Sequence, residues 1–231
     1  GDTGLDYDMC FFRDPAGIPP GPSHRKVAGY DPTYGDDYDA DYPGHGTHVA
    51  GIVAGDRTPV DGFSTANGMA PKARVFLQDI TPGSSVYVFP PADLGLMFIT
   101  AYNAGARLHT NSWGGGGNSY NSSSMSADRF MWEHPDFLAL FANGNSGPSP
   151  YTVGYPASAK NVVSVGASLN GSGAETMAWF SSHGTTADGR IKPTVSAPGD
   201  GVTDGAGIIS ADSDGIKGSN NCGTIAMRGT S

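Results

Sequence analysis

Residues 47–55 read Thr-His-Val-Ala-Gly-Ile-Val-Ala-Gly, an apolar run with almost no bulky side chain. Such a run predicts a buried helix, and its glycines and alanines allow that helix to lie close against a sheet. The rest of the chain supplies the sheet. A buried strand is expected over 73–79 and a helix over 91–104, with Leu94, Met97, Phe98 and Tyr102 on one side. A short strand over 108–112 runs into the glycines of 114–117. A helix over 124–132, strands over 137–142 and 162–167, and less regular β segments near 177–180, 194–197 and 207–211 complete the pattern. Strands alternating with helices predict an α/β fold with a mostly parallel central sheet and helices on both faces. Active residues of such folds gather at the carboxyl ends of strands. Residues 14–44 are rich in Pro, Gly, Asp and Tyr and read as an irregular excursion. No repeat or low-complexity linker divides the sequence, so one domain is expected over 1–231.

Composition narrows the partners. Apolar residues make up 38 % of the 231, enough to fill a core, and the formal net charge is −9. That charge argues against nucleic acid and against an anionic membrane surface, both of which select basic patches. No apolar run reaches membrane-spanning length. Cys10 and Cys222 read either as two buried thiols or as one disulfide of a secreted or lumenal protein.

The chemistry centres on Gly44-His45-Gly46-Thr47-His48-Val49-Ala50-Gly51. Two histidines three apart can hold a metal on one helical face, but no third-ligand motif accompanies His45 and His48. A histidine exposed at the first turn of a helix also suits a general base. Such a base needs a carboxylate to fix its tautomer and a nucleophile to deprotonate.

This histidine segment resembles that of the subtilases, the subtilisin-like serine proteases, and the resemblance continues through the chain. Gly1-Asp2-Thr3-Gly4 resembles the family's acidic motif, Ala142-Asn143-Gly144-Asn145-Ser146-Gly147 its oxyanion strand, and Gly229-Thr230-Ser231 the start of its nucleophile motif. The resemblance implies a triad of Asp2, His45 and Ser231, with Asn145 in the oxyanion hole. It also implies that Ser112, Trp113, Gly114, Gly144 and Gly154 bind substrate. Gly68-Met69-Ala70-Pro71, Ala197-Pro198-Gly199 and Asp188-Gly189-Arg190-Ile191-Lys192-Pro193 are similar to further family segments. Cys10-Phe11-Phe12 and the Asp188 run look most like large subtilases of bacteria and unicellular eukaryotes.

Three residues depart from the family pattern: Asn143 where Ala is usual, Thr194 where many members have Asp, and Arg228 where a small or amide side chain is usual. The family's first core strand and nucleophile helix are expected to lie before Asp2 and after Ser231, so this segment is expected to be truncated at both ends, with flanking segments of the same protein missing.

The function implied is endopeptidase hydrolysis of protein or peptide substrates, in a secreted or lumenal (extracellular or lysosomal) setting and with no cofactor or metal in the chemistry. The contrasting expectation is a catalytically silent binding module on the same fold. A triad joining Asp2 to Ser231 would bring Cys10 near Cys222, so a disulfide between them is expected. Asp31, Asp36, Asp37, Asp39 and Asp41 form a loop that reads as solvated and leaves structural calcium open. Glycines at 114, 144 and 154, with no acidic residue nearby, imply cleavage after large apolar or aromatic residues.

Overall fold

The computed structural model describes residues 1–36, 44–83, 85, 87–203 and 205–231. In chain order the elements are β1 (Val27–Asp31), α1 (His45–Ala54), α2 (Thr58–Asp61), β2 (Val75–Gln78), α3 (Gly95–Asn103), β3 (Leu108–Asn111), α4 (Ser122–Glu133), β4 (Leu138–Ala142), β5 (Val163–Ser168), β6 (Val195–Pro198), β7 (Ile208–Ala211) and β8 (Thr224–Met227). They fall into two compact units, one of Gly1–Pro90 and Ile209–Ala226, the other of Pro91–Ile208 and Met227–Ser231.

In the first unit β1 and β2 pair in parallel, with Gly29 opposite Phe76 and Asp31 opposite Gln78. β1 lies inside the stretch whose composition predicts an irregular excursion. Its five residues include a glycine and an aspartate, which weaken any local strand signal. The tertiary partner decides the matter, because a Cβ at Gly29 would sit 2.7 Å from the Phe76 ring. α1 begins two residues before the expected 47–55. Leu5, Met9, Phe11, Phe12, Val27, Ala50, Leu77 and Ala211 form the core of this unit. β7 and β8 make a further two-stranded sheet.

The expected Cys10–Cys222 disulfide is present, with Cα atoms 5.0 Å apart across 212 positions of sequence. That separation lies within the range a disulfide spans, about 4.4–6.8 Å. Backbone pairing supports it, since Cys10 N–H donates to Asn221 O at 2.9 Å. The Asn221 side chain in turn donates to Asp6 Oδ2 at 2.9 Å.

The second unit holds a four-stranded parallel sheet in the order β3-β4-β5-β6. All four strands lie within two residues of their expected positions. The 177–180 segment does not form a strand and contributes one bridge, Met177 to Ser168. α4 starts at Ser122 because the Asn121 side chain caps it, accepting from Ser124 N–H at 3.0 Å. Phe98 of α3 is fully buried, with ring centroids 4.8 Å from His109, 5.5 Å from Phe130 and 5.4 Å from Phe137. Burial holds the His109 imidazole well below its ordinary pKa, so it packs as a neutral ring.

Lys192 shows the consequence of Thr194. Its ammonium donates to Val162 O at 2.9 Å and reaches Thr194 Oγ1 at 3.4 Å. Burial, assisted by the Arg190 charge, pushes its pKa down to about 8.

A cross-link closing so long a loop restricts the unfolded chain strongly. Replacing Cys10 and Cys222 together by serine is expected to cost about 2–5 kcal/mol of unfolding free energy. Urea denaturation compared with the oxidised parent measures it, and an unchanged midpoint would show that the bridge adds no stability.

Candidate active site

In the first unit Asp2 continues the β2 pairing. Its N–H donates to Gln78 O at 3.1 Å, and its carbonyl accepts from Ile80 N–H at 3.0 Å. The side chain is buried, and Oδ1 accepts from Thr3 N–H at 2.8 Å. The same oxygen lies 2.7 Å from His45 Nδ1. An ionised carboxylate only accepts, so this contact holds a proton on Nδ1 and leaves Nε2 as the basic nitrogen. His45 is the first residue of α1 and its side chain is 39 % exposed, so the ring is braced on one edge and open on another.

The start of α1 is tied to the Asp2 segment from both sides. Gly46 N–H donates to Thr3 Oγ1 at 2.8 Å, and Asp6 N–H donates to Thr47 Oγ1 at 2.8 Å. A Cβ at Gly46 would come 3.1 Å from Gly4 N and 3.2 Å from Asp2 Cβ, and nearer still to Gly4 O. One at Gly51 would come 2.9 Å from Ala211 Cβ. The close approach to a sheet anticipated from the small residues of 47–55 is present at Gly51, against Ser210 and Ala211 of β7, and Gly46, just before that run, adds a second against the Gly4 backbone.

His48 is buried, and its carbonyl accepts from Ser210 Oγ at 2.9 Å. Among the described residues the group of three metal-type ligands is Cys10, Asp61 and Cys222, and its two sulfurs are joined to each other. Of the acidic loop, Asp37, Asp39 and Asp41 lie outside the described residues. Asp31 accepts from Thr33 and from Gln78 Nε2 at 3.0 Å. Beside Asp2, burial pushes the Asp79 carboxyl up to about 7 while it accepts from Thr81 N–H at 2.9 Å and Tyr30 O–H at 3.1 Å.

In the second unit β4 ends at Ala142 and delivers Asn143, Gly144 and Asn145. Asn145 Oδ1 accepts from Thr230 N–H at 2.9 Å and from Thr230 Oγ1 at 3.0 Å. A backbone N–H can only donate, so the amide oxygen must face Thr230 and Nδ2 is turned away as a donor. Thr230 Oγ1 also accepts from Gly144 N–H at 3.1 Å. Gly229 N–H donates to Gly199 O at 3.0 Å, and the exposed Ser231 hydroxyl donates to Ser112 O at 3.2 Å.

A cleft of about 260 Å³ brings Ser112, Trp113, Gly114, Gly144 and Gly154 together with Asn145 and Ser231. Gly115, which also lines the cleft, is held to Tyr155 by paired backbone bonds of 2.8 and 3.1 Å. No acidic side chain lines the cleft among the described residues.

Sequence reasoning missed Thr230, although it stands inside the Gly-Thr-Ser triplet. It also missed Ser182, whose N–H donates to Gly144 O at 2.8 Å and for which no motif was singled out. Of the departures, Asn143 is fully buried and Arg228 is exposed. The Arg228 guanidinium stands where a Cβ on Gly205 would meet it at 3.0 Å. It lies in the field of Asp200. Burial works against that carboxylate's charge, yet N–H donors from Gly205, Gly207 and Gly201, together with Arg228, hold it below its ordinary pKa.

The family model described as Subtilase family matches residues 1–231. The serine protease/ABC transporter B family protein tagD of Dictyostelium discoideum is 39 % identical over 180 residues, covering 72 % of this chain and 10 % of that protein. Fervidolysin of Fervidobacterium pennivorans is 31 % identical over 230 residues, 95 % of this chain and 29 % of its own length. The chain thus spans less than a third of the length of either relative. Among solved structures, an S41 psychrophilic protease superposes with a TM-score of 0.66 at 25 % identity, covering 99 % of this chain and 70 % of that one. No helix among the described residues is long and apolar enough to cross a membrane.

The Gly46 contact yields a direct test. Gly46→Ala is expected to push the start of α1 off the Gly4 backbone and lengthen the Asp2–His45 bond, at about 1–3 kcal/mol of stability. Thermal denaturation and the low-field His45 Nδ1–H proton resonance measure the two effects. An unchanged resonance with unchanged stability would show that the helix start has room for a methyl group.

Proposed function

We propose that this chain, which belongs to the subtilase family, is the peptide-hydrolysing part of a longer serine endopeptidase. Asp2 orients His45 and stabilises its imidazolium form. His45 takes the proton from Ser231 Oγ, which attacks the scissile carbonyl to form an acyl-enzyme, and returns it to the leaving amine. Asn145 Nδ2 and the Ser231 N–H stabilise the oxyanion. The chemistry asks for no metal or organic cofactor. The observation that carries this reading is the 2.7 Å Asp2–His45 contact at the first residue of a helix, which leaves Nε2 as the base. The orientation of the Asn145 amide by Thr230 supports it independently. The Cys10–Cys222 disulfide favours a secreted or lumenal setting.

The deciding experiment is labelling of the full-length protein with a fluorophosphonate. Labelling that disappears in both Ser231→Ala and His45→Ala is expected. Absence of labelling in the parent protein would leave a silent binding module as the better description.

Asn145→Ala should lower kcat by about 100- to 1000-fold with KM nearly unchanged, a magnitude carried over from subtilisin's own oxyanion asparagine. A raised KM at normal kcat would make Asn145 a substrate-binding residue instead.

The cleft bears on specificity. The cleft lining carries no carboxylate among the described residues, so a buried Lys or Arg would find none there to offset its desolvation. Cleavage after large apolar or aromatic residues is therefore expected in a peptide-library digest at moderate salt. A strict preference for Lys or Arg would refute this.

A further inference from the structure

Asn145 and Ser146 are both exposed, and a hydrogen-bond donor on an exposed turn is effective only if its backbone is held to within a few tenths of an ångström. Thr230 fixes the Asn145 carboxamide and accepts from Gly144 N–H before it, but makes no bond to Ser146 after it, so the turn is not held on both sides by Thr230 alone. That task falls to one fully buried residue, Ser182. Its N–H donates to Gly144 O at 2.8 Å. Its hydroxyl accepts from Ser146 N–H at 3.0 Å. Its carbonyl accepts from Asn143 Nδ2 at 2.6 Å. Ser182 therefore grips residues 143, 144 and 146, on both sides of the donor. The fit also depends on Gly144, which has φ of +111° and where a Cβ would lie 2.8 Å from Ser182 Oγ.

Asn143 is the departure from family pattern noted in the sequence. Its side chain is fully buried, and its Oδ1 has no hydrogen-bond partner among the described residues. A buried, unpaired amide oxygen is unfavourable. An alanine would remove that penalty, and with it the bond to Ser182 O. The backbone of Asn143 is already held without the side chain, its N–H by Val165 O at 2.9 Å and its carbonyl by Gly154 N–H at 3.1 Å. The side-chain bond therefore adds restraint on Ser182 rather than on its own strand.

The geometry points to Asn143 and Ser182 as positioning residues for Asn145, a brace that sets the height of the Nδ2 donor without touching substrate. The inference rests on the reading of Asn145 as an oxyanion donor.

The test is a set of double-mutant cycles in the full-length protein, using a peptide substrate with kcat and KM resolved. Asn143→Ala and Ser182→Ala should each lower kcat by about tenfold, less than Asn145→Ala does, with KM unchanged. In an Asn145→Ala background the same two substitutions should change kcat by less than about twofold, because the donor they position is gone. A merely structural role would show the same loss in both backgrounds, and that result overturns the proposal. So does unchanged kcat in Asn143→Ala and Ser182→Ala, or a change confined to KM. If Asn145→Ala itself leaves kcat unchanged, the oxyanion reading fails first, and that outcome is distinct from a loss in Asn145→Ala with no loss in the brace variants. Should Ser182→Ala not fold, the Asn143→Ala cycle decides by the same criteria, since that substitution removes an unpaired buried amide oxygen together with the bond to Ser182 O.

Discussion

The first unit depends on how closely α1 can approach backbone. A Cβ on Gly46 would strike the Gly4 carbonyl, and one on Gly51 would strike Ser210 and Ala211. With both positions bare, the Gly46 N–H reaches Thr3 Oγ1, and His45 arrives 2.7 Å from Asp2. A helix carrying ordinary side chains would stand off by the width of a methyl group or more, and a hydrogen bond does not stretch that far. The small-residue run is thus a steric condition for the proposed base to meet its carboxylate.

The second unit meets a comparable demand with hydrogen bonds. A carboxamide looks nearly the same whichever way it is turned, so its orientation has to come from its partners. Thr230 presents a backbone N–H and a hydroxyl to one end of Asn145, which assigns the oxygen to that end and Nδ2 to the other. The same hydroxyl accepts from Gly144 N–H, so the amide and its strand are fixed by one side chain.

Elements with strong internal periodicity were legible from residue order. α1, α3, α4 and the strands of the parallel sheet lie where apolar spacing puts them, with ends moved by caps such as Asn121. β1 and β8 were not legible. Each is short and holds residues of weak strand preference, and each is a strand because another strand pairs with it. Candidate site residues divide along the same line. Asp2, His45, Asn145 and Ser231 stand in short glycine-bearing motifs that are recognisable locally. Thr230 and Ser182 act across 85 and 36 positions, and although Thr230 stands in the Gly-Thr-Ser triplet, local sequence does not show which distant groups either one holds.

By itself the sequence determined an alternating α/β pattern, a helix of small residues over 47–55, and the identity of the four residues resembling a protease's catalytic set. Those properties follow from side-chain size, period and local motif, which residue order contains directly. Only the tertiary structure decided that His45 Nδ1 faces Asp2, that Cys10 bonds Cys222, that the Asn145 amide is turned by Thr230, and that Ser182 grips the turn on both sides of it. Each of these is a contact between distant segments with a directional requirement of a few tenths of an ångström. Composition and spacing contain no such distances, because the chain acquires them only when its segments are packed together.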